Sequence, residues 1–423
     1  MRILWLNTNL LLPLDKGGKL RTWHLMRHLS RRHEITCVSF ADPAAGAHRS
    51  GMSAVCSALL TVPRREAPKE GVRFHASVAR YLFHSKPYAV AQYRSRRYRR
   101  AVTSALARTP FDRIVCDFLV PAVNMPARLP CPAVLFTHNV EAEIWRRHAE
   151  TEEGSLRKRL YLRQWRRMLQ FEARTIARFD RVLAVSEMDR DTLQRLYGDR
   201  LPAPVSVIPT GVDTQYFAPQ PDDLAAGRRL VFTGSMDWLP NADGVQFFCR
   251  EILPIIRRAE PEVTFTIVGR SPTPAVRRLC EERGVEVTGR VEDIRPYLAR
   301  SAVYVVPLRI GGGTRLKIFE AMSSGRAVVS TSIGAEGLPT ENGRHLLVAD
   351  TPGAFAEAVV RLLRDVPARQ TIEREARALV TDRYDWAAAA GHLERALLAT
   401  RTLARDGAAS SIRVTSVKRV KPL

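Results

Sequence analysis

Twelve short runs of β-branched and apolar residues, each separated from the next by longer stretches of helical period, recur along the whole chain. Parallel strands cannot be joined by a tight turn and need a crossover, which is usually a helix, so this alternation specifies βα units on parallel sheets. Five runs fall in the first half: 2–7, 34–40, 113–118, 133–139 and 181–186. Seven fall in the second: 205–211, 229–235, 264–269, 285–289, 302–308, 327–332 and 345–350. A chain of 423 residues exceeds what one hydrophobic core usually serves. The expected fold is therefore α/β, two doubly wound Rossmann-like domains facing each other across a cleft.

The sharpest break is the stretch 199–205, where Pro202 and Pro204 interrupt helical pattern ahead of a new strand. It divides the chain into an N-terminal domain over 1–200 and a C-terminal domain over 205–383. A helix over 384–403 is expected to pack back on the first domain, and 404–423 reads as a basic flexible tail.

Charge is unevenly spread. Of the net +23, residues 1–200 carry +18, with 36 Lys and Arg against 18 Asp and Glu. A basic half attracts a polyanion: nucleic acid, an anionic membrane or a phosphorylated substrate. No recognised nucleic-acid motif accompanies the charge, and no nucleic-acid partner is expected. The helix over 156–179 places Leu160, Trp165, Met168, Leu169 and Ile176 on one stripe, with Arg157, Arg159, Arg163, Arg166 and Arg167 mostly off it. That face is either solvated or docks on an anionic membrane. Without a spanning apolar run or a signal-peptide pattern, and with six cysteines lacking any C-x-x-C spacing, the expectation is a cytoplasmic protein with reduced thiols.

Four stretches carry candidate chemistry. In 307–331 a strand is followed by Gly311, Gly312 and Gly313, then Thr314 opens a helix. Free amides at a helix start and the helix dipole favour an anion. Arg315 and Lys317 add cations within a turn, and Glu320 can accept hydrogen bonds from a ribose hydroxyl pair. In 232–248, Gly234 lets main chain approach a ligand, and Asn241 is a candidate helix cap. In 136–148, His138, Asn139 and Glu141 follow the C-terminal end of a strand, where open α/β sheets gather ligands. In 7–29, Gly17 and Gly18 precede an amphipathic helix and can turn amides into the cleft. Asp189 and Asp191 match the D-x-D pattern of metal-dependent sugar transferases, but they open a helix where acids cap, so no metal site is expected there. Neither G-x-S-x-G nor a P-loop occurs.

With these motifs in order, at 17–18, 137–141, 184–189, 207–213, 232–241, 266–270, 287–293, 311–322 and 330–338, the chain resembles the family-4 retaining glycosyltransferases of GT-B fold. The pair THNVE and FTGSMDWLPN is most similar to the branch that builds bacterial exopolysaccharide, including exosortase-associated sugar transferases. The resemblance implies that Glu320 binds ribose, as the second glutamate of the family's Glu, seven residues, Glu motif, and that His138 lies near the transferred sugar. The first glutamate falls at Gly312, and the arginine usual after the first C-domain strand is replaced by Ser235 and Met236. That leaves Arg315 and Lys317 as the phosphate ligands, and Glu336 and Gly337 join the donor-binding set.

The implied reaction is transfer of a sugar from a nucleotide-diphosphate sugar to a glycan or polyprenyl-diphosphate-linked acceptor, with retention. No metal or other cofactor is expected, because cations and helix amides stabilise the leaving diphosphate. A non-hydrolysing nucleotide-sugar 2-epimerase shares the fold and is the rival enzyme. A basic nucleic-acid-binding protein and a non-catalytic GT-B scaffold are the rivals from other classes.

Overall fold

The computed structural model describes residues 1–14, 17–64, 86–152, 154–220, 227–310 and 316–401. Gly311, Gly312, Gly313, Thr314 and Arg315, and the tail 404–423, lie outside the described residues.

Two all-parallel sheets form. The first has seven strands in the order β3-β2-β1-β4-β5-β6-β7. These are β1 (Arg2–Asn9), β2 (Glu34–Ala41), β3 (Ala58–Pro63), β4 (Arg113–Asp117), β5 (Ala133–Phe136), β6 (Arg181–Ala184) and β7 (Ser206–Val207). The second has six, β10-β9-β8-β11-β12-β13: β8 (Arg229–Thr233), β9 (Thr264–Val268), β10 (Val285–Gly289), β11 (Val303–Val306), β12 (Ala327–Ser330) and β13 (Leu347–Val348). Helices cover both faces, which is why central strands such as β4, β5, β11 and β12 are near-continuous apolar runs. In each sheet the strand order reverses once, between β1 and β4 and between β8 and β11. Doubly wound sheets bind ligands at the C-terminal ends of strands beside that reversal.

The run 205–211 does not open the second domain, as its sequence suggested; its strand is β7, the far edge of the first sheet, paired with β6. Pro202 and Pro204 end an ordinary helix-to-strand connection, and the chain crosses between domains only after β7.

The helices that frame the site are α1 (Gly17–Leu29), α2 (Arg96–Arg108), α3 (Glu141–Thr151), α4 (Ser155–Ile176), α5 (Glu187–Tyr197), α6 (Leu239–Phe247), α7 (Leu316–Ser323) and α8 (Trp386–Ala399). Trp386, Ala389, Ala390, Leu393 and Leu397 of α8 belong to the core of the first domain, with Trp386 stacked on His24 at 5.0 Å. The two interdomain crossings are tied together: the Val212 amide donates to the Tyr384 carbonyl at 2.7 Å, and the Trp386 amide to the Val212 carbonyl at 3.2 Å. A Cβ at Gly211 would lie 2.6 Å from the Trp386 ring, so the crossing is tight because residue 211 has no side chain. Among the described residues, no helix is long and apolar enough to cross a membrane.

Candidate functional site

The C-terminal ends of both sheets open onto one interdomain cleft of about 1220 Å³. Its N-domain wall includes Asn7, Gly17, Gly18, Phe118, His138 and Asn139. Its C-domain wall includes Trp238, Arg309, Leu316, Glu336 and Gly337. The starts of α1 and α7 meet across it: a Cβ at Gly17 would touch Leu316 at 3.7 Å.

On the first domain, β1 and β4 bring together a buried polar network. His138 donates from Nε2 to Asp117 Oδ1 at 2.7 Å, and Arg21 Nη1 approaches His138 Nδ1 at 3.1 Å. A guanidinium offers only donors, so Nδ1 accepts and the proton sits on Nε2. Burial lowers the imidazole's pKa; Asp117 opposes that shift and Arg21 adds to it. The ring is neutral.

Asp117 also accepts from Thr22 Oγ1 at 2.6 Å and from Trp5 Nε1 at 3.2 Å. Phe118 takes φ 68°, a left-handed conformation that costs a non-glycine residue roughly 1–2 kcal/mol, and its ring stacks on His138 at 3.8 Å. Gly18 is required beside it, since a Cβ there would meet Phe118 Cζ at 2.6 Å. Both His138 ring nitrogens are thus committed within the protein, so the imidazole offers no unpaired nitrogen to a sugar hydroxyl in this arrangement.

Glu141 is not brought to the cleft. It opens α3, where burial pushes its carboxyl up to about 7. Its amide and that of Ala142 donate to the buried Glu172 carboxyl, each at 3.1 Å, and Tyr197 donates to the same group at 2.6 Å. These contacts cap the start of α3, whose Ile144, Arg147 and His148 do line the cleft.

On the second domain, the turn from β8 to α6 lies against α7. Lys317 Nζ donates to Asn241 Oδ1 at 2.8 Å and sits 4.1 Å above the Phe232 ring. Asn241 is not the helix cap its sequence suggested. It lies inside α6, and its Nδ2 holds the Ser235 carbonyl at 2.9 Å. A Cβ at Gly234 would fall 2.6 Å from Asn241 Nδ2 and 2.8 Å from Lys317 Nζ, so only glycine leaves the ammonium in place. Glu320, one turn along α7, is pushed up to about 7 by burial, with Lys317 acting against the shift. Gly337 takes φ 75°, carrying the 333–338 turn back into the cleft with Glu336.

Asp189 and Ser186 form a reciprocal cap, the Asp189 amide donating to Ser186 Oγ at 3.1 Å and Ser186 Oγ to Asp189 Oδ2 at 2.6 Å. Asp191 pairs with Arg190. On α4, Met168 and Ile176 are buried and Trp165 packs against the core, while Arg157, Lys158, Arg159, Arg163 and Arg166 are exposed and Leu156 is 72% exposed.

Asp117, Arg21 and Glu172 were not singled out from the sequence. Asp117 ends a strand beside the reversal, a signal for function; Arg21 and Glu172 look like ordinary helix-surface charges until packing shows them buried.

Residues 16–216 match the family described as Glycosyltransferase Family 4, and residues 227–365 match Glycosyl transferases group 1. An uncharacterized 44.6 kDa protein in the cps region of Klebsiella pneumoniae is 22% identical over 261 residues, covering 60% of this chain and 65% of that one. The D-inositol 3-phosphate glycosyltransferase of Kineococcus radiotolerans is 30% identical over 251 residues, 52% of this chain and 57% of that one. The matched stretch thus spans less than two thirds of either relative's length. The fold is shared with the Anabaena HepE crystal structure in complex with UDP and glucose, at TM-score 0.64 and 17% identity, over 94% of this chain and 100% of that one. Each half is thus matched by a glycosyltransferase family, and the two Rossmann-like sheets facing one cleft give the chain the GT-B fold.

Proposed function

We propose that the chain transfers a sugar, with retention and without a metal, from a nucleotide-diphosphate sugar to a glycan or polyprenyl-diphosphate-linked acceptor. The observation that carries this reading is the seating of the Lys317 ammonium over Gly234 at the C-terminal end of β8. A cation fixed there meets the negative charge that grows on a departing diphosphate, the kind of preorganised electrostatics that lowers such barriers. On the sequence reading, Gly311, Gly312, Gly313, Thr314 and Arg315 are the further phosphate ligands, Glu320 takes the ribose, and Glu336 with Gly337 binds the donor. Asn139, Gly17 and Gly18 stand on the acceptor side, and His138 shapes that wall with its ring nitrogens already paired.

UDP in the HepE structure and the cps-region relative support a nucleotide donor and a role in surface polysaccharide synthesis. The exposed basic face of α4, continuous with exposed Leu156, supports peripheral attachment to an anionic cytoplasmic membrane surface, where each basic residue contributes about 1 kcal/mol. Trp165 takes no part, being packed inward.

The test is a thermal-stabilisation screen of UDP-, GDP- and dTDP-sugars in EDTA. A ligand at about 100 times its dissociation constant adds roughly 2.7 kcal/mol, so the true donor raises Tm by several degrees. A uniform lack of response across all three bases would overturn the reading.

A further inference from the structure

Arg21 is 8% exposed, on the first turns of α1, and nothing in its sequence context distinguishes it from Arg27, the other arginine of that helix. In the fold it touches two unlike things. Its Nη1 faces His138 Nδ1 at 3.1 Å, and its Nη2 donates to Thr210 Oγ1. Thr210 is itself buried and immediately precedes Gly211 and Val212, the crossing that pairs with Tyr384 and Trp386. One guanidinium therefore joins the cleft histidine to the segment about which the two domains are connected.

We infer that Arg21 is a positioning residue. It fixes His138 in the neutral Nε2–H form and ties that ring to the interdomain crossing through Thr210, so the acceptor wall is set together with the domain angle. The inference rests on the cleft being the reaction site, but its content is local chemistry that is read without turnover.

The groups facing His138 are few. Asp117 on β4 accepts its Nε2 proton, Arg21 on α1 denies it a second one, and Phe118 and Phe136 cover its faces. Burial brings the Arg21 guanidinium down to about 10, with the negative charges of Asp117 and then of Asp189 on α5 pulling the other way. An imidazolium at 138 would point an Nδ1 proton at a cation, an arrangement that only the loss of Arg21 permits.

The experiment is nitrogen-15 NMR of the full-length protein labelled at histidine, with the 138 signals assigned by their absence in His138→Gln. In the wild type, the ring gives the Nε2–H pattern and stays neutral to lower pH than a free imidazole, because it is buried. In Arg21→Met, which keeps bulk and removes the donor, its titration midpoint rises, because the cation that repels an Nδ1 proton is gone while burial and Asp117 remain as they were. If that variant does not fold, Thr210→Val takes its place: it leaves the guanidinium unanchored, and the His138 ring signals shift while the other histidines stay put. A ring that titrates alike in wild type and Arg21→Met, or ring signals unmoved in Thr210→Val, would overturn the inference. Neither result depends on which donor the enzyme uses, so a failed donor screen and a failed positioning role remain distinguishable.

Discussion

Replacing Lys317 by Met separates what the residue does for the fold from what it does for the reaction. Folding loses the hydrogen bond to Asn241, 2.8 Å long and half-buried, worth about 1 kcal/mol net. The ammonium over Phe232 at 4.1 Å adds about 1 kcal/mol, part of which a thioether above the same ring restores. In a domain of this size, 1–2 kcal/mol lowers Tm by roughly 2–8 °C. Transfer loses a preorganised cation facing the leaving diphosphate, and deleting one such group costs about 3–4 kcal/mol, a hundred- to a thousandfold in turnover. The two effects differ enough to read apart. Initial rates of nucleoside-diphosphate release with the donor found by the screen, alongside a melting curve, measure both. A variant that turns over within threefold of wild type would refute the placement of the phosphate site, whatever its Tm.

Three further outcomes follow from the same geometry. Gly234→Ala places a methyl 2.6 Å from Asn241 Nδ2 and 2.8 Å from Lys317 Nζ, so nucleoside-diphosphate affinity measured by calorimetry falls tenfold or more; unchanged affinity would remove the β8–α6 turn from the site. Burial raises Glu141 from 4.5 to about 7, so the folded protein holds a proton that the unfolded chain releases. Its stabilisation is complete below pH 4.5 and lost as pH rises through 7. Glu141→Gln therefore leaves Tm nearly unchanged below pH 4.5, raises it by several degrees at pH 8, and spares turnover; a fall in Tm at pH 8 would contradict this. Changing Arg157, Lys158, Arg159, Arg163, Arg166 and Arg167 to Gln abolishes flotation with phosphatidylglycerol vesicles at low salt, whereas equal binding to neutral lipid would leave α4 as solvated surface.

The architecture was legible because short apolar runs such as 113–118 and 302–308 recur between longer stretches of helical period, the alternation that parallel sheets require. The domain boundary was misread because two prolines in a helix-to-strand turn look like two prolines in a linker. Only pairing with β6 assigns Ser206 and Val207 to the first sheet.

On the site, glycines were the readable signal. Gly18, Gly234 and Gly337 each mark a place where a Cβ collides or the backbone turns left-handed, and all three lie at the cleft or the turn behind it. Side-chain commitments were not readable. His138 follows a strand end as expected, but whether its nitrogens are free depends on Arg21, 117 residues away in sequence, and on Asp117. Glu141 sits beside His138 in the chain yet turns into the protein, because Glu172 holds the amides of α3 from behind.

The central claim is a nucleoside diphosphate held by Lys317 without a metal. Isothermal titration of the nucleoside diphosphate identified by the screen, in EDTA, tests it most directly with wild type and Lys317→Met side by side. The account predicts one site per chain in the wild type and at least tenfold weaker binding in the variant. Binding that appears only when Mn²⁺ is added, or equal affinity in the two proteins, would contradict it.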